Sequence, residues 1–477
     1  MRYNPTIAGI VNTIEMVVIA LVLAFVFRAF VAEAFRIPTG SMAETLRGAH
    51  YHLRCSRCGY KYDFGSDQYP IETPHCVNCG RTDGTEQSVA LSNGDRILVL
   101  KCIYQFADPQ RWDVVVFKNP LNPIESYIKR MIAVPGETVE IIDGDIYING
   151  KIVTKPPKVQ EEFWTLIYDN DYPPIRGRPK DNKNYPAAQP FRNYRQSNWN
   201  LSAKGPGVFS LDSPTEEINT IYYDTSIGNN FRAAYGYNNS SEHHHRPVCS
   251  DLMLRFYVAP GGKQGRIGAV LKKYDTWYRG SVNFDGEMII EKIQGGGTVE
   301  FGRRKIKPVD IAEPVLFRFS NVDHQLVLEF GDERLKCELG RSVGDVGQIK
   351  EPRNGQVRIL GSGKLSLSHI ALYRDMHYIN SAILRAGRGQ AFTLGRDEFF
   401  VCGDNSPHSL DGRLWAVAGI GNNGVRYTMG VVPRDYLVGK AFFIYWGDAF
   451  GPFKGFPPVI PNISRLGFIY GGSAEKF

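Results

Sequence analysis

Three short stretches of this 477-residue chain hold side chains able to do chemistry. In FRIPTGSMAETL, residues 35–46, Pro38 and Gly40 bend the backbone beside Ser41, and a hydroxyl on such a turn is accessible for attack. Most exposed serines after a glycine are simply loop residues. In ESYIKRMIAVPGE, residues 125–137, Lys129 stands inside an apolar strand between Ile128 and Met131, with Arg130 beside it. An ordinary lysine there points to solvent. In FFVCGDNSPHSLDGRLWA, residues 399–416, a hydrophobic strand runs into a loop crowded with Asp404, Asn405, Ser409, Asp411 and Arg413, groups that often just cap a strand.

A fourth stretch has metal-ligand spacing. Cys55-x2-Cys58 and Cys76-x2-Cys79 have seventeen residues between them, and a glycine follows each pair. Turns of that kind present two thiolates to one metal, so residues 51–87 read as an inserted four-thiolate zinc ribbon with a structural zinc. Two disulfides or redox pairs are the competing reading. His50, His52 and His75 are surplus to a closed tetrahedral site, and Glu242-His243-His244-His245 reads as a solvated loop. Cys102, Cys249, Cys337 and Cys402 are scattered singly and read as small core residues.

The elements that position these groups are mainly strands. Glycine and proline (49 and 28 residues) with tyrosine and phenylalanine (25 and 27) favour strands and turns over an all-helical fold. The 43% hydrophobic fraction excludes a disordered chain, the net charge of +7 is too weak to imply nucleic acid, and a mean hydropathy of −0.26 excludes a polytopic membrane protein. Residues 7–34 are the membrane candidate: Met16 to Phe27 is uninterrupted apolar sequence, extended on both sides if Arg28 snorkels to the headgroups. A single N-terminal anchor fits this segment better than a signal peptide cleaved at Ala32-Glu33-Ala34 or a buried core helix. Arg2 on one side against Arg36, Arg47 and Arg54 on the other would, counted naively, leave the bulk of the chain in the cytoplasm. Residues 111–151 read as a run of strands with turns at Pro135-Gly136 and Asp143-Gly144. A second insertion covers 153–388. Its first part, 153–206, reads as linker or surface loops. From Gly207 short alternating strands follow (Leu252 to Val258, Val315 to Phe319, Leu326 to Phe330), and Val357/Ile359 and Leu365/Leu367 join through Gly361-Ser362-Gly363 as a hairpin. That spacing predicts a β-sandwich over 207–388.

Taken together, the Ser-Met pair after a membrane helix, YIKR with VPGE, and GDN followed by S-x-D-x-R resemble the type I signal peptidase (leader peptidase) family, in the family's order. Gly94-Asp95-Arg96, Asp113 to Phe117 and the tail 439–469 fit as well. The resemblance implies a discontinuous catalytic domain of β-fold (35–50, 88–152 and 389–470) behind an anchor at 1–34. It implies Ser41 as nucleophile and Lys129 as general base, with no cofactor in catalysis. Lys129 must then be neutral near pH 7, about three units below its free value of about 10.4, a shift worth roughly 4 kcal/mol. By the same resemblance Ser409 hydrogen-bonds and aims the lysine, and Thr39 joins the Ser41 N–H as oxyanion donor. Arg130, Asp404, Asn405, Asp411 and Arg413 brace the site. The substrate, a signal peptide of a secreted preprotein, would lie as an added strand between Phe35–Thr39 and Ser126–Ile128. Phe35, Ile37, Pro38, Met42, Leu46, Tyr127 and Ile128 would wall small pockets suited to Ala-x-Ala. The family works at the plasma (inner) membrane with its catalytic domain outside, against the charge count. Three features depart from its pattern: Ala43-Glu44-Thr45-Leu46 after Ser-Met, Ser406-Pro407 after GDN, and Thr39 itself.

FRFSNVDHQLVLEFGDERL, residues 317–335, resembles concanavalin-like, laminin-G-type jelly rolls, which implies a carbohydrate or protein ligand for the sandwich. Two other functional readings stand beside the peptidase: a catalytically inactive binding or scaffold protein at the membrane surface, and a thiol oxidoreductase built on the cysteine pairs. Retention of both Ser41 and Lys129 favours the enzyme.

Overall fold

The computed structural model describes residues 5–66, 74–81, 91–120, 122–174, 189–202, 207–233, 237–238, 246–310, 313–340, 356–379, 385–421, 424–447 and 460–472. The histidine run after Glu242 lies outside them. A helix over Pro5–Val26 continues as a π-helical turn over Phe27–Val31. Within it Gly9–Val31 has a mean hydropathy of 2.5 and none of it is buried, so it is long and apolar enough to cross a membrane. Arg28 sits in the terminal turn.

Beyond the helix the chain is mostly β. An eight-stranded sheet runs in the order Ala32–Arg36, Arg96–Leu100, Leu437–Trp446, Val114–Asn119, Asn122–Ala133, Glu398–Cys402, Val432–Pro433, with Gly467–Phe468 paired to Leu437–Trp446 off that path. The run VVVF at 114–117 is apolar throughout because both of its faces are buried. Val114 and Val116 join Ile37, Met42, Leu46 and Val99 on one side, and Val115 and Phe117 join Met131, Val401 and Trp415 on the other. A four-stranded sheet (Lys151–Ile152, Asp145–Ile148, Thr138–Ile142, Phe392–Thr393) follows the expected turns, with Gly136, Asp143 and Gly144 all at positive φ. A three-stranded sheet (Lys61–Gly65, His50–Arg54, Leu91–Ser92) carries the cysteine region.

The second insertion departs from its expected layout in two ways. Gly361-Ser362-Gly363 is not a hairpin. Val357–Arg374 is one long strand, and both of its halves pair with the equally long Leu252–Lys273. The register shifts between Pro260 and Gly265, where residues 261–264 stand opposite Lys364 alone. Gly265 (φ +136) and Gly363 (φ +80) face each other there, so the glycines serve a bulge rather than a turn. This bulge carries both strands from one layer to the other. Leu252–Val258 pairs with Val315–Val322 on one side of it, and Arg266–Lys273 with Thr276–Asn283 on the other. The layers close on a core that includes Leu254, Phe256, Phe317, Phe319, Ile267 and Ile359.

The stretch 153–206 is also more than a linker. Pro157–Phe163 is helical, Thr165–Asp169 and Phe191–Asn193 are strands of the large sheet, and Tyr168, Phe191 and Trp199 enter its core. Their apolar residues are spaced singly among prolines and asparagines, which hides the strand pattern. Cys249 and Cys402 are buried as expected, whereas Cys102 and Cys337 are only half-buried.

Buried charges join the sandwich to the four-stranded sheet. Lys273 contacts Asp251 and stands 3.9 Å from Asp145, and Lys155 bonds Asp323 and, at 2.8 Å, Asp375. The paired glycines give a direct test. A Cβ at Gly265 would stand 2.6 Å from the Ser362 carbonyl oxygen at a φ that side chains avoid. Gly265→Val should destabilise the sandwich by about 1–3 kcal/mol, read as a lower thermal midpoint. An unchanged midpoint would remove the bulge from this account.

Candidate functional site

Ser41 lies on a single 3-10 turn, Gly40–Met42, entered from extended backbone at Thr39. Its hydroxyl meets the chain at Lys129, whose Nζ is 2.7 Å from Ser41 Oγ across 88 residues of sequence. Lys129 is on the strand Asn122–Ala133, paired with Val115 at the centre of the eight-stranded sheet. It is 4% exposed. Removal from water lowers its pKa to about 8; the Asp411 and Asp404 carboxylates pull the other way and Arg413 partly offsets them.

Alternation along the strand sends Arg130 to the face opposite Lys129. Arg130 is fully buried and bridges Asp404 (2.7 Å) and Glu162 (3.0 Å), donates to the carbonyls of Trp112 and Tyr470, and lies over the Phe163 ring. Arg413 pairs with Asp411 at 2.8 Å and donates to Ser406 Oγ at 2.6 Å. Burial works to raise the Asp411 carboxyl, but Arg413, the Gly403 N–H and the nearby Ser409 hold it below the usual range. Ser406, one of the departures from the family pattern, also accepts from the Ile379 N–H at 2.8 Å. Asn405 reaches the nucleophile turn itself: its N–H donates to the Ser41 carbonyl (3.1 Å) and its Nδ2 to the Gly40 carbonyl (2.8 Å).

One expected contact is missing. Ser409 Oγ makes no hydrogen bond to Lys129; it is buried beside Asp411 and against Gly403, outside good hydrogen-bond geometry. The GDN loop folds back on itself here, so the short side chain faces Gly403 and Asp411. Thr39 is exposed in extended backbone next to the turn. Of the proposed pocket residues, Ile37, Met42 and Leu46 are core residues, Met42 and Leu46 wholly buried, so in this conformation they offer a peptide little or no surface. Phe35, Tyr127 and Ile128 are half-buried and Pro38 is exposed. Ala32–Arg36 pairs only with Arg96–Leu100, and Ser126–Ile128 only with Val116–Lys118, so each keeps one edge without a partner among the described strands. Residues that sequence patterns missed include Glu162, Tyr237 and Asn238, all from the second insertion. Nothing local marks them, since their partners lie far away in the chain.

The four paired cysteines converge. Each pair sits in the same turn: the N–H of Cys55 donates to Tyr60 and that of Gly59 to Cys55, and Cys76, Arg81 and Gly80 repeat the pattern. Gly59 and Gly80 are both at positive φ. The sulfurs all lie within 4.8 Å of one another, with Cys55–Cys79 and Cys58–Cys76 at 3.6 Å. That is far beyond the roughly 2 Å of a disulfide, and it fits the edge of about 3.8 Å that zinc–sulfur bonds of about 2.3 Å give a tetrahedron. The donor set therefore fits one structural metal ion.

A family model described as signal peptidase, peptidase S26, matches residues 79–193 and 353–446. The chain contains an S26 signal peptidase domain. Its match takes in Lys129 and the GDN loop and begins after Ser41. The Signal peptidase I of Rickettsia typhi is 32% identical over 133 residues, 28% of this chain and 41% of that protein. That of Rickettsia bellii is 30% identical over 139 residues, 29% and 39% respectively. The match thus spans about two fifths of the length of these curated relatives. Among solved structures, a carbohydrate binding module from Bacillus subtilis aligns with 39% of this chain and 96% of its own length, at 10% identity and a TM-score of 0.26. A likeness of that size carries no argument about the sandwich.

Two measurements check the site's supports. Asp404→Ala leaves the buried Arg130 with Glu162 as its one remaining carboxylate, which should cost about 3 kcal/mol or more in urea unfolding followed by tryptophan fluorescence; a loss under about 0.5 kcal/mol would mean the pair is dispensable. Metal analysis of the purified chain should find about one zinc ion per chain, lost in Cys76→Ser, whereas a metal-free protein with intact folded thiols would contradict the ribbon.

Proposed function

We propose that this chain is a membrane-anchored serine endopeptidase that removes signal peptides from secreted preproteins after small-x-small (Ala-x-Ala) sites. The observation that carries this reading is the 2.7 Å contact between Ser41 Oγ and a buried Lys129 whose charge is disfavoured. With the amine neutral the contact reverses, and Lys129 Nζ accepts the Ser41 proton as the hydroxyl oxygen attacks the scissile carbonyl. The oxyanion that forms is held by the Ser41 N–H and the Thr39 hydroxyl. The lysine then passes its proton to the leaving amine, and water, deprotonated by the same amine, releases the acyl group from Ser41.

The free edges at Ala32–Arg36 and Ser126–Ile128 support substrate entry as an added strand, with the scissile bond delivered to Ser41. Phe35 and Ile128 are half-buried beside these edges and offer apolar surface to the alanines on both sides of the variable position. The apolar helix anchors the chain in the plasma (inner) membrane, and the catalytic domain faces away from the cytoplasm, where signal peptides emerge. The ribbon's zinc is structural and stands outside the chemistry.

The test is cleavage of a preprotein with an Ala-x-Ala site by the detergent-purified chain beside its variants. Ser41→Ala and Lys129→Ala should each lose at least about a thousandfold in kcat/KM, with folding intact. A native chain that cuts nothing, or variants that cut as well as it does, would end the proposal. The sign of the pH dependence follows from the base having to be neutral. With a lysine at about 8, kcat/KM should rise about tenfold per pH unit below that value and level off above it. A flat profile from pH 5 to 9 would exclude a lysine base.

A further inference from the structure

The turn that carries Ser41 is gripped by two residues of the second insertion. The Tyr237 ring lies against Gly40 so closely that a Cβ at Gly40 would stand 2.1 Å from it. The Tyr237 hydroxyl donates to the Ala49 carbonyl at 3.0 Å, and the Tyr237 carbonyl accepts from the Gly65 N–H at 2.9 Å. Tyr237 is thereby tied to the chain on both sides of the cysteine region's first strand. Its neighbour Asn238 is buried and forms a reciprocal amide pair with Asn405: Asn238 Nδ2 donates to Asn405 Oδ1 at 2.5 Å, and Asn405 Nδ2 donates to Asn238 Oδ1 at 2.7 Å.

The Gly40 carbonyl settles which way the Asn405 amide faces, and Asn238 complements the Asn405 amide in that orientation. Both hydrogens of Asn405 Nδ2 are used, one on Asn238 Oδ1 and one on the Gly40 carbonyl at 2.8 Å. Turned over, Asn405 would set its oxygen against the Gly40 oxygen, and Asn238 would face a donor with a donor. The consequence passes through one peptide unit. In a planar trans peptide the carbonyl and the following N–H point in opposite directions. Fixing the Gly40 carbonyl toward Asn405 therefore fixes the Ser41 N–H on the other side, away from the GDN loop.

We infer that Asn238 is a positioning residue for the peptidase reaction: through Asn405 it holds the Gly40–Ser41 peptide in the orientation that offers the Ser41 N–H to the oxyanion, so that the second insertion completes the active site rather than decorating it. The inference rests on the endopeptidase reading above. It assigns Asn238 no contact with substrate and no proton to move. A donor that is aimed in advance is worth most in the transition state, when the carbonyl oxygen gains charge, and little in the ground-state complex. Loss of Asn238 therefore belongs in kcat.

The experiment measures kcat, KM and the pH midpoint for preprotein cleavage by the full detergent-purified chain, Asn238→Ala, Asn238→Asp and, as control, Ser41→Ala. Asn238→Asp keeps size and shape and can still accept from Asn405 Nδ2, but it cannot donate to Asn405 Oδ1; it guards against a misfolded alanine variant. Both Asn238 variants should lose at least about tenfold in kcat, with KM changed less than about twofold and the pH midpoint where the native chain has it. A folded variant with native kcat overturns the inference while leaving the endopeptidase reading intact. So does a loss confined to KM, or a moved pH midpoint, which would place the effect on substrate binding or on Lys129. If the native chain shows no cleavage that depends on Ser41, the endopeptidase reading falls and this inference falls with it.

Discussion

An amine that gives up its proton more readily than a free lysine must be kept out of water, and the sheet that carries Lys129 is organised around that requirement. Lys129 is buried in the eight-stranded sheet beside a strand, Val114–Asn119, whose VVVF run is apolar on both faces. The two carboxylates nearest in influence, Asp411 and Asp404, would by themselves draw a proton onto it. Each has its own guanidinium instead, Arg413 for one and Arg130 for the other. The buried ion pairs thus act on the lysine as well as holding the loop: they bind the GDN loop to the sheet, and Arg413 offsets part of the field its carboxylates impose. Arg130 can serve from the adjacent position because strand alternation turns it to the opposite face.

The Ser41–Lys129 pair was legible in the sequence because it sits inside motifs whose order along the chain survives the insertions. Ser41, Lys129 and the bracing residues are placed by short local patterns, and the structure brings them together. What was not legible depends on long-range contact. Gly361 to Gly363 carries the same signal whether it makes a turn or a bulge, since both ask for a residue at positive φ, and only the partner strand decides between them. Phe191 and Trp199 reach the sandwich core from a stretch whose prolines and asparagines look like loop. Ser409 was misjudged for a related reason. Membership of the motif says that it lies near the lysine, but the path of the loop back over Gly403 determines what its hydroxyl meets.

The insertions are also more tightly joined to the peptidase than their separate sequence patterns suggest. Glu162 supplies a second carboxylate to Arg130, and Lys155 and Lys273 carry buried charge across to the sandwich. The cysteine region is tied to the second insertion: Asn78 bonds the backbone of Asp169 and Tyr172, and Gly65 bonds Tyr237. Loops joined by so many buried polar contacts cannot shift independently of the sheet that carries Lys129, because each contact broken leaves a desolvated group unpaired.

The hydrogen bond from Asn405 to the Gly40 carbonyl joins residues 365 positions apart. During synthesis the serine therefore leaves the ribosome long before the side chain that secures its turn, and before Lys129 as well. The young chain, behind the apolar helix that precedes it, carries an ordinary serine. The Ser41 turn is secured only when the last third of the polypeptide folds back over the first. On the endopeptidase reading, a chain made in that order is silent for most of its own birth.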